Sequence, residues 1–234
     1  MAEFKVFSKN DVARVEILMT DEIVQTEVGA VQYFLGNIQK QAHSLPVNRF
    51  FKAKFVSQKL PKPTYLGTGK LVLEPSLGEF HLLTLNNKTL FLERGVYFAS
   101  EQNVEVSGHE YKEIPGFRRS ENFMQTVVSG TGTVVLSIPG PVEMIELKND
   151  RLVADGAFVV ARTEGLTLEL KKSSKPVMGN IAWGEGVESI LEGTGCVYLA
   201  PIPNPRVLLE KAMIKGFLAV KNPKKFLGIK KSIF

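Results

Sequence analysis

Hydrophobic residues in this chain fall into short runs rich in β-branched and aromatic side chains, separated by glycine and small polar residues. Three runs follow the same phrase, Gly-Thr-Gly: Lys70–Leu73, Thr133–Leu136 and Cys196–Leu199. Because alternate residues of a strand share a face, equivalent positions in these runs should point into a core. These positions are Leu71, Val134, Val197, Leu73, Leu136 and Leu199. The residues between them, Val72, Val135 and Tyr198, are also apolar, which predicts strands covered on both faces.

The runs belong to an internal repeat. The Gly-Thr-Gly phrases begin at Gly67, Gly130 and Gly193, each 63 residues from the next. A second phrase, one glycine among apolar residues, recurs at Gly29, Gly95, Gly156 and Gly216. We expect these single glycines to form bulges or sharp bends within a sheet. A repeat of this length implies several strands per unit, with units that pack on one another.

Another apolar run precedes each second phrase. The four runs are Val12–Leu18, Phe80–Leu85, Val142–Leu147 and Val207–Leu209. Two of them are followed by polar residues that tolerate positive φ, Asn86–Lys88 and Lys148–Asp150, which we expect to be hairpin turns. Short strands spaced by such turns predict an all-β sandwich or barrel. We interpret the chain as one domain, 1–234, with approximate units 1–66 (partial), 67–129, 130–192 and 193–234 (partial).

Composition limits the class of protein. Hydrophobic residues make up 44% and charged residues 23%, as in ordinary soluble proteins. The lone cysteine, Cys196, excludes an internal disulfide framework and fits a reducing compartment. The start lacks the pattern of a secretory signal, and no run approaches the length of a membrane helix, so we expect a cytoplasmic location.

Charge is distributed unevenly. The net charge is +5, yet residues 211–234 contain seven Lys and no Asp or Glu, which leaves the remainder mildly acidic. A solvated basic edge and a surface for an anionic partner both explain such an end.

The sequence offers few candidates for chemistry. A phosphate-binding glycine loop leads into a helix, whereas each Gly-Thr-Gly leads into a strand-like run, so we interpret the phrase as a structural turn or bulge. His43, His81 and His109 have no metal-ligand spacing. Cys196 has no neighbouring base that would activate it. We therefore expect no catalytic residue, no metal site, no cofactor and no enzymatic activity.

Two basic segments are candidate binding surfaces. Residues 48–55 interleave Phe with Arg49, Lys52 and Lys54, as nucleic-acid or protein-binding surfaces do, although a strand with snorkelling lysines has the same pattern. The second segment, 221–234, mixes apolar residues with Lys224, Lys225, Lys230 and Lys231. It could form an amphipathic membrane anchor. We prefer a final β segment, because Ala219 onward aligns with Ala99–Val106 and Ala161–Leu170.

The repeats resemble the altered-inheritance-of-mitochondria family. The matching stretches are Leu90–Ser100, Ser129–Leu136, Glu146–Ala161 and Gly193–Leu199, together with Gly184-Glu185-Gly186. The stretch Gln39–Phe55 departs from the family because it contains no glycine. The resemblance implies three β units in a pseudo-threefold arrangement, like subunits of the trp RNA-binding attenuation protein. It implies no known enzymatic activity, and a mitochondrial location with a link to inner-membrane organisation if the source is eukaryotic.

These observations favour a non-enzymatic scaffold or interaction protein. We expect a protein partner or self-association, with an anionic membrane surface as a further partner. A nucleic-acid-binding protein and a small-ligand-binding β-sandwich are the alternatives.

Overall fold

The structure, a computed structural model, describes residues 2–9, 12–41, 62–76, 79–111, 123–172 and 187–203. Within these ranges every helix or strand element is a β-strand, which confirms the all-β prediction. The strands are β1 (Glu3–Lys9), β2 (Val12–Thr26), β3 (Val31–Gln41), β4 (Thr64–Leu73), β5 (Glu79–Leu92), β6 (Tyr97–Glu101), β7 (Val104–Tyr111), β8 (Phe123–Ile138), β9 (Glu143–Asp155), β10 (Val159–Thr163), β11 (Leu166–Lys172) and β12 (Val187–Leu199).

The strands form one antiparallel sheet in the order β11-β12-β10-β5-β8-β6-β2-β4-β3, with β1 on β2, β7 on β8 and β9 on β12. We call β1–β4, β5–β8 and β9–β12 the first, second and third strand groups. Each group contains one long central pair: β2 with β4, β5 with β8, and β9 with β12. The pseudo-threefold arrangement and the limits of the four units stay predictions.

The Gly-Thr-Gly phrases lie in the middle of strands, each opposite a bulge in the paired strand. In the second group, Asn87 is the extra residue of β5, with a φ of 52°. Its backbone N–H donates to Oγ1 of Thr131 at 3.1 Å. In the other two groups the backbone N–H of Asp21 donates to Oγ1 of Thr68 at 3.0 Å, and the backbone N–H of Asn149 donates to Oγ1 of Thr194 at 3.0 Å. The phrase is therefore a structural device, in agreement with the sequence interpretation.

The prediction of hairpin turns at Asn86–Lys88 and Lys148–Asp150 is wrong. Both segments lie inside continuous strands, β5 and β9. The residues do use positive φ, as expected of Asn, but at a bulge rather than at a chain reversal. The glycines opposite the bulge are needed for close approach: a Cβ on Gly69, where φ is 153°, would lie 2.1 Å from the carbonyl oxygen of Leu35 on β3.

The single-glycine phrases form tight turns between strands. In each turn a backbone N–H donates a hydrogen bond to the carbonyl oxygen three residues earlier. The pairs are Ala30 with Glu27 (3.1 Å), Val96 with Glu93 (3.2 Å) and Phe158 with Asp155 (3.1 Å). Gly29 and Gly95 occupy the third turn position with φ near 80°, which favours glycine. The expected bends are thus present, whereas the alternative of a bulge inside a strand is wrong. Gly156 sits one position earlier in its turn, and Gly216 lies outside the described residues.

The described residues form three hydrophobic cores under the sheet. Five of the six predicted core residues are buried, and the sixth, Leu199, is partly buried against the third core. Val72 and Val135 are also fully buried, which confirms coverage of both faces at those positions. The first core combines residues of the first group with Phe80, Phe98 and Val135 of the second, so neighbouring groups share a core.

Candidate interaction surface

The first strand group presents apolar side chains on the face opposite its core. Ile17 and Leu71 point into the core, so their neighbours Leu18 and Lys70 point outward. Lys70 lies between Leu18 on β2 and Leu35 on β3, and the next outward row places Val72 beside Tyr33. We call this side of the first group the outward face. Leu18, Tyr33 and Leu35 are exposed on it, as is Phe7 on β1.

Charges on the outward face are balanced by ion pairs. The carboxylate of Glu16 lies 2.7 Å from a guanidinium nitrogen of Arg14 and 3.4 Å from Nζ of Lys70. Lys5 pairs with Glu3 at 2.9 Å. An apolar face with locally compensated charge suits a protein surface better than a polyanion, which binds to uncompensated positive charge.

Among the described residues, strand β3 is the last strand of the sheet, and no strand pairs with its outer edge. Tyr33, Phe34 and Leu35 are consecutive and are 39%, 40% and 57% exposed. Phe34 is held by an edge-on contact with Tyr65, with ring centroids 6.0 Å apart. From Val31 to Asn37 the strand carries no charged residue, although natural edge strands are usually guarded by charge. In the described part of the chain, β3 pairs only with β4.

The segments equivalent to Tyr33–Leu35 in the other groups lie at seams between groups, where all their residues are buried except the partly buried Thr163. The register shift that precedes Tyr33 recurs before Ala99 and before Ala161, which fixes the equivalence. β6 pairs with the end of β2, where Ser100 faces Gln25, and β10 pairs with the end of β5. We call these pairings the first seam and the second seam.

The first seam is closed by polar groups. Nε2 of Gln25 donates to the carbonyl oxygen of Val104 at 2.8 Å. The Tyr97 hydroxyl lies 3.0 Å from Oγ of Ser100, and burial raises the pKa of the Tyr97 phenol. Lys62 covers the Tyr97 ring at 4.8 Å and pairs with Glu27. The seam therefore holds its polar atoms in a satisfied network.

The second seam solves the same problem with a donor from the other strand. The guanidinium of Arg162 stacks on Phe91, 3.9 Å from the ring centroid, and donates to the carbonyl oxygen of Leu166 at 2.7 Å. Leu166 begins β11 as Val104 begins β7, so both seams satisfy the same carbonyl position. A side-chain donor at this carbonyl is thus a common feature of both seams.

Residues 4–202 match the family model described as Mitochondrial biogenesis AIM24. The chain belongs to the AIM24 family. This confirms the resemblance identified from the repeats.

The AIM24 fold is also found in a solved structure. The crystal structure of protein SPYM3_0169 from Streptococcus pyogenes superposes with a TM-score of 0.71 at 20% identity, covering 93% of this chain and 100% of that protein. At this identity the likeness concerns the fold alone. No curated protein matches the chain.

The seven basic residues predicted as surface candidates in this AIM24 protein all lie outside the described residues. They are Arg49, Lys52, Lys54, Lys224, Lys225, Lys230 and Lys231.

The other residues considered from the sequence are dispersed. His81 lies 3.3 Å from the carbonyl oxygen of Gly140, and His109 contacts Phe91 edge-on with ring centroids 5.6 Å apart, whereas His43 is outside the described ranges. Cys196 is partly buried, and its backbone N–H donates to Oγ1 of Thr163. Within the described residues, His, Cys, Asp and Glu form no group of three that could hold a metal ion.

Sequence reasoning missed Tyr33, Phe34 and Leu35. The available sign was a Tyr-Phe-Leu run without neighbouring charge, but a fully buried strand has the same pattern.

In the described ranges, no helix is long and apolar enough to cross a membrane.

Proposed function

We propose that this AIM24-family protein is a non-enzymatic scaffold or interaction protein that associates through the edge of β3 and the adjoining outward face. The observation that carries the proposal is the exposure of three consecutive large apolar side chains, Tyr33–Leu35, on the last strand of the sheet. An uncharged edge strand offers main-chain hydrogen bonds and side-chain contacts to an incoming strand.

The proposed occupant is β3 of a second copy of this chain. All strand pairs of the sheet are antiparallel, and two copies of one strand related by a twofold axis also pair antiparallel. The ion pairs of Glu16 with Arg14 and Lys70 reduce charge repulsion between two such faces. Because β3 is itself uncharged from Val31 to Asn37, its own side chains add no charge repulsion to the contact.

The strength of this association can be bounded. Each of the three side chains is about half exposed, so burying it contributes on the order of 1 kcal/mol, or roughly 6 kcal/mol for two copies. Four main-chain hydrogen bonds would add roughly 4 kcal/mol. Since association costs roughly 4–15 kcal/mol, we expect a weak dimer that dissociates in the micromolar range or above.

Sedimentation analysis of the full chain over a range of concentrations tests the proposal. Wild type should shift from monomer to dimer, and Leu35→Lys should remain monomeric with an unchanged circular dichroism spectrum. Met144→Lys is the matched control, because Met144 is an exposed apolar residue of the third group, and it should dimerise like wild type. A wild-type chain that is monomeric throughout, or a Leu35→Lys dimer, would contradict the proposal.

An anionic membrane surface is the second proposed partner. The described residues contain 19 Asp and Glu against 13 Lys and Arg, so they are net acidic, while residues 211–234 carry the basic charge. Replacing Lys224, Lys225, Lys230 and Lys231 with Gln should abolish cosedimentation with anionic liposomes at low salt. Unchanged cosedimentation would remove this partner.

Nucleic-acid binding is the less favoured alternative, because an acidic sheet repels a polyanion. It rests on residues 48–55, and a gel shift with single-stranded RNA at low salt would revive it.

A further inference from the structure

Among the described residues, the third strand group has a smaller core than the other two. The first core includes Phe80, Phe98 and Val135, which belong to the second group. The second core likewise includes Val160, Ala161 and Ala200, which belong to the region of the third group. The third core consists of five buried residues, all from β9–β12: Leu147, Val159, Leu166, Leu191 and Val197. Among the described residues, no following group contributes to it.

Positions at the rim of the third core are correspondingly more exposed. Leu152 and Ala154 on β9 are only partly buried, although the equivalent Leu90 and Leu92 on β5 are buried. Between them, Val153 is 46% exposed. Equivalent positions can be counted from the residue that pairs with the first glycine of each Gly-Thr-Gly phrase. Three residues after it lie Gln25 in the first seam, Phe91 in the second seam and Val153 on β9.

The other edge of the same β9 segment has no paired strand among the described residues. Thr26 on β2 pairs with Ala99, and Leu92 on β5 pairs with Ala161, so the two seams share one register. In the described ranges, Leu152–Ala154 pairs only with β12. The end of β9 is thus a third copy of the seam edge, and the described part of the chain contains no strand that completes it.

We propose that residues 217–221 of this same chain add to that edge of β9 as a strand and complete a third seam. The sequence contains a fourth copy of the glycine phrase at Gly216, followed by Phe217-Leu218-Ala219-Val220. With Ala219 in the place of Ala99 and Ala161, the seam register puts Ala219 opposite Ala154 and Val220 opposite Val153. An apolar strand here would cover Val153 and the rim of the third core.

The chain length supports this occupant over a second molecule. Tyr97 follows the end of β4 by 24 residues, and Val159 follows the end of β8 by 21 residues. Phe217 follows the end of β12 by 18 residues, which is a similar span. A tethered segment reaches the edge at a high effective concentration, whereas a second copy must first associate.

Cysteine pairing tests the proposal on the full chain. Val153→Cys with Val220→Cys, in a Cys196→Ser background, should form an intramolecular disulfide in dilute protein. Opposed residues of antiparallel strands have Cα atoms about 4.5–5.5 Å apart, within disulfide reach. Gln25→Cys with Ser100→Cys, a pair from the first seam, is the positive control. Met144→Cys with Val220→Cys is the negative control, because Met144 lies nine residues along β9 from Val153.

Mass spectrometry under non-reducing conditions gives the outcome. A monomeric disulfide at the extent of the positive control, with little in the negative control, supports the proposal. A disulfide-linked dimer would assign the edge to a second copy, and two free thiols would leave residues 217–221 elsewhere; either result overturns it.

Hydrogen exchange on the unmodified chain provides a test that does not depend on how the variants fold. Amides of residues 152–154 should exchange as slowly as those of residues 24–26 and 90–92. Exchange at least tenfold faster at 152–154 would overturn the proposal.

Discussion

The threonine of each Gly-Thr-Gly phrase should stabilise the fold through a single hydrogen bond, and this can be measured three times in one chain. Thr68→Val, Thr131→Val and Thr194→Val keep the shape of the side chain but remove the oxygen that accepts the bulge N–H at 3.0–3.1 Å. A neutral hydrogen bond contributes about 0.5–1.5 kcal/mol. Because these three bonds are exposed to solvent, water replaces part of each, and we expect the lower half of that range.

Each single variant should therefore lose about 0.5–1 kcal/mol of unfolding free energy. The three bulges lie on different strand pairs, so their effects should add, and the triple variant should lose roughly 2 kcal/mol. For a chain of this size the loss corresponds to a fall in Tm of roughly 4–8 °C. Thr84→Val is the control, since Thr84 is an exposed residue of β5 outside the bulge.

Urea unfolding followed by circular dichroism measures these differences. A triple variant within about 0.5 kcal/mol of wild type would refute the assignment of a stabilising role to the threonine oxygen. A single variant that cost as much as the triple would refute the independence of the three bulges.

Two further predictions concern stability. Gly69→Ala should lower the free energy of unfolding in urea by roughly 3 kcal/mol or more, because the new Cβ would overlap the carbonyl oxygen of Leu35. Gly29→Ala, where the new Cβ enters open space, should lower it by only about 1 kcal/mol because of the positive φ. Similar losses in the two variants would contradict the argument that Gly69 is needed for close approach. Burial raises the pKa of Tyr97, so the folded state favours the neutral phenol. The contribution of this phenol to the free energy of unfolding is complete below its unfolded pKa of about 10. As pH rises above that value, the contribution is lost by up to about 1.4 kcal/mol per pH unit. Tyr97→Phe should flatten the fall of the urea midpoint between about pH 10 and pH 11, and an unchanged slope would assign alkaline unfolding to other groups.

Strand content and core residues could be predicted from the sequence because both depend on local alternation. Leu71 and Val134 are buried as expected, since each occupies the inward position of a run that a glycine phrase marks. The bulges could not be distinguished from hairpins. Asn87 tolerates positive φ in either setting, and only the partner strand, with its Thr131 acceptor, decides whether the chain reverses.

The interaction surface depends on sheet order, which the local pattern does not contain. Phe34 and Phe98 both look like strand residues of a core, yet Phe98 is buried beneath a neighbouring group while Phe34 lies on the terminal strand. The seams show the same limit. Gln25 on β2 and Arg162 on β10 donate to equivalent carbonyl groups, but the two residues lie on opposite strands of their seams. They do not occupy equivalent positions in the repeat, so a comparison of the repeats would not reveal their common role.

The pairing of the groups also has a direction, and this links the two proposals. β6 of the second group pairs with β2 of the first, and β10 of the third pairs with β5 of the second. Among the described residues, β3 runs unbroken along β4, whereas β6 and β7 are separated by a turn. The described chain therefore ends in two different edges, at β3 and at the end of β9.

These edges determine which assemblies can form. If both were open, β3 of one molecule could pair with β9 of the next, and such head-to-tail contacts build rings or filaments of many copies. If residues 217–221 fill the edge of β9, only β3 remains, and β3 can pair with its own copy in an isologous contact that stops at two. An assembly that ends at the dimer at high concentration is thus expected when the third seam is complete. In a chain with Leu218→Pro and Val220→Pro, which cannot donate main-chain hydrogen bonds at those positions, species larger than a dimer should appear. If no species larger than a dimer appeared, the pairing of β9 would not determine the size of the assembly that forms through β3.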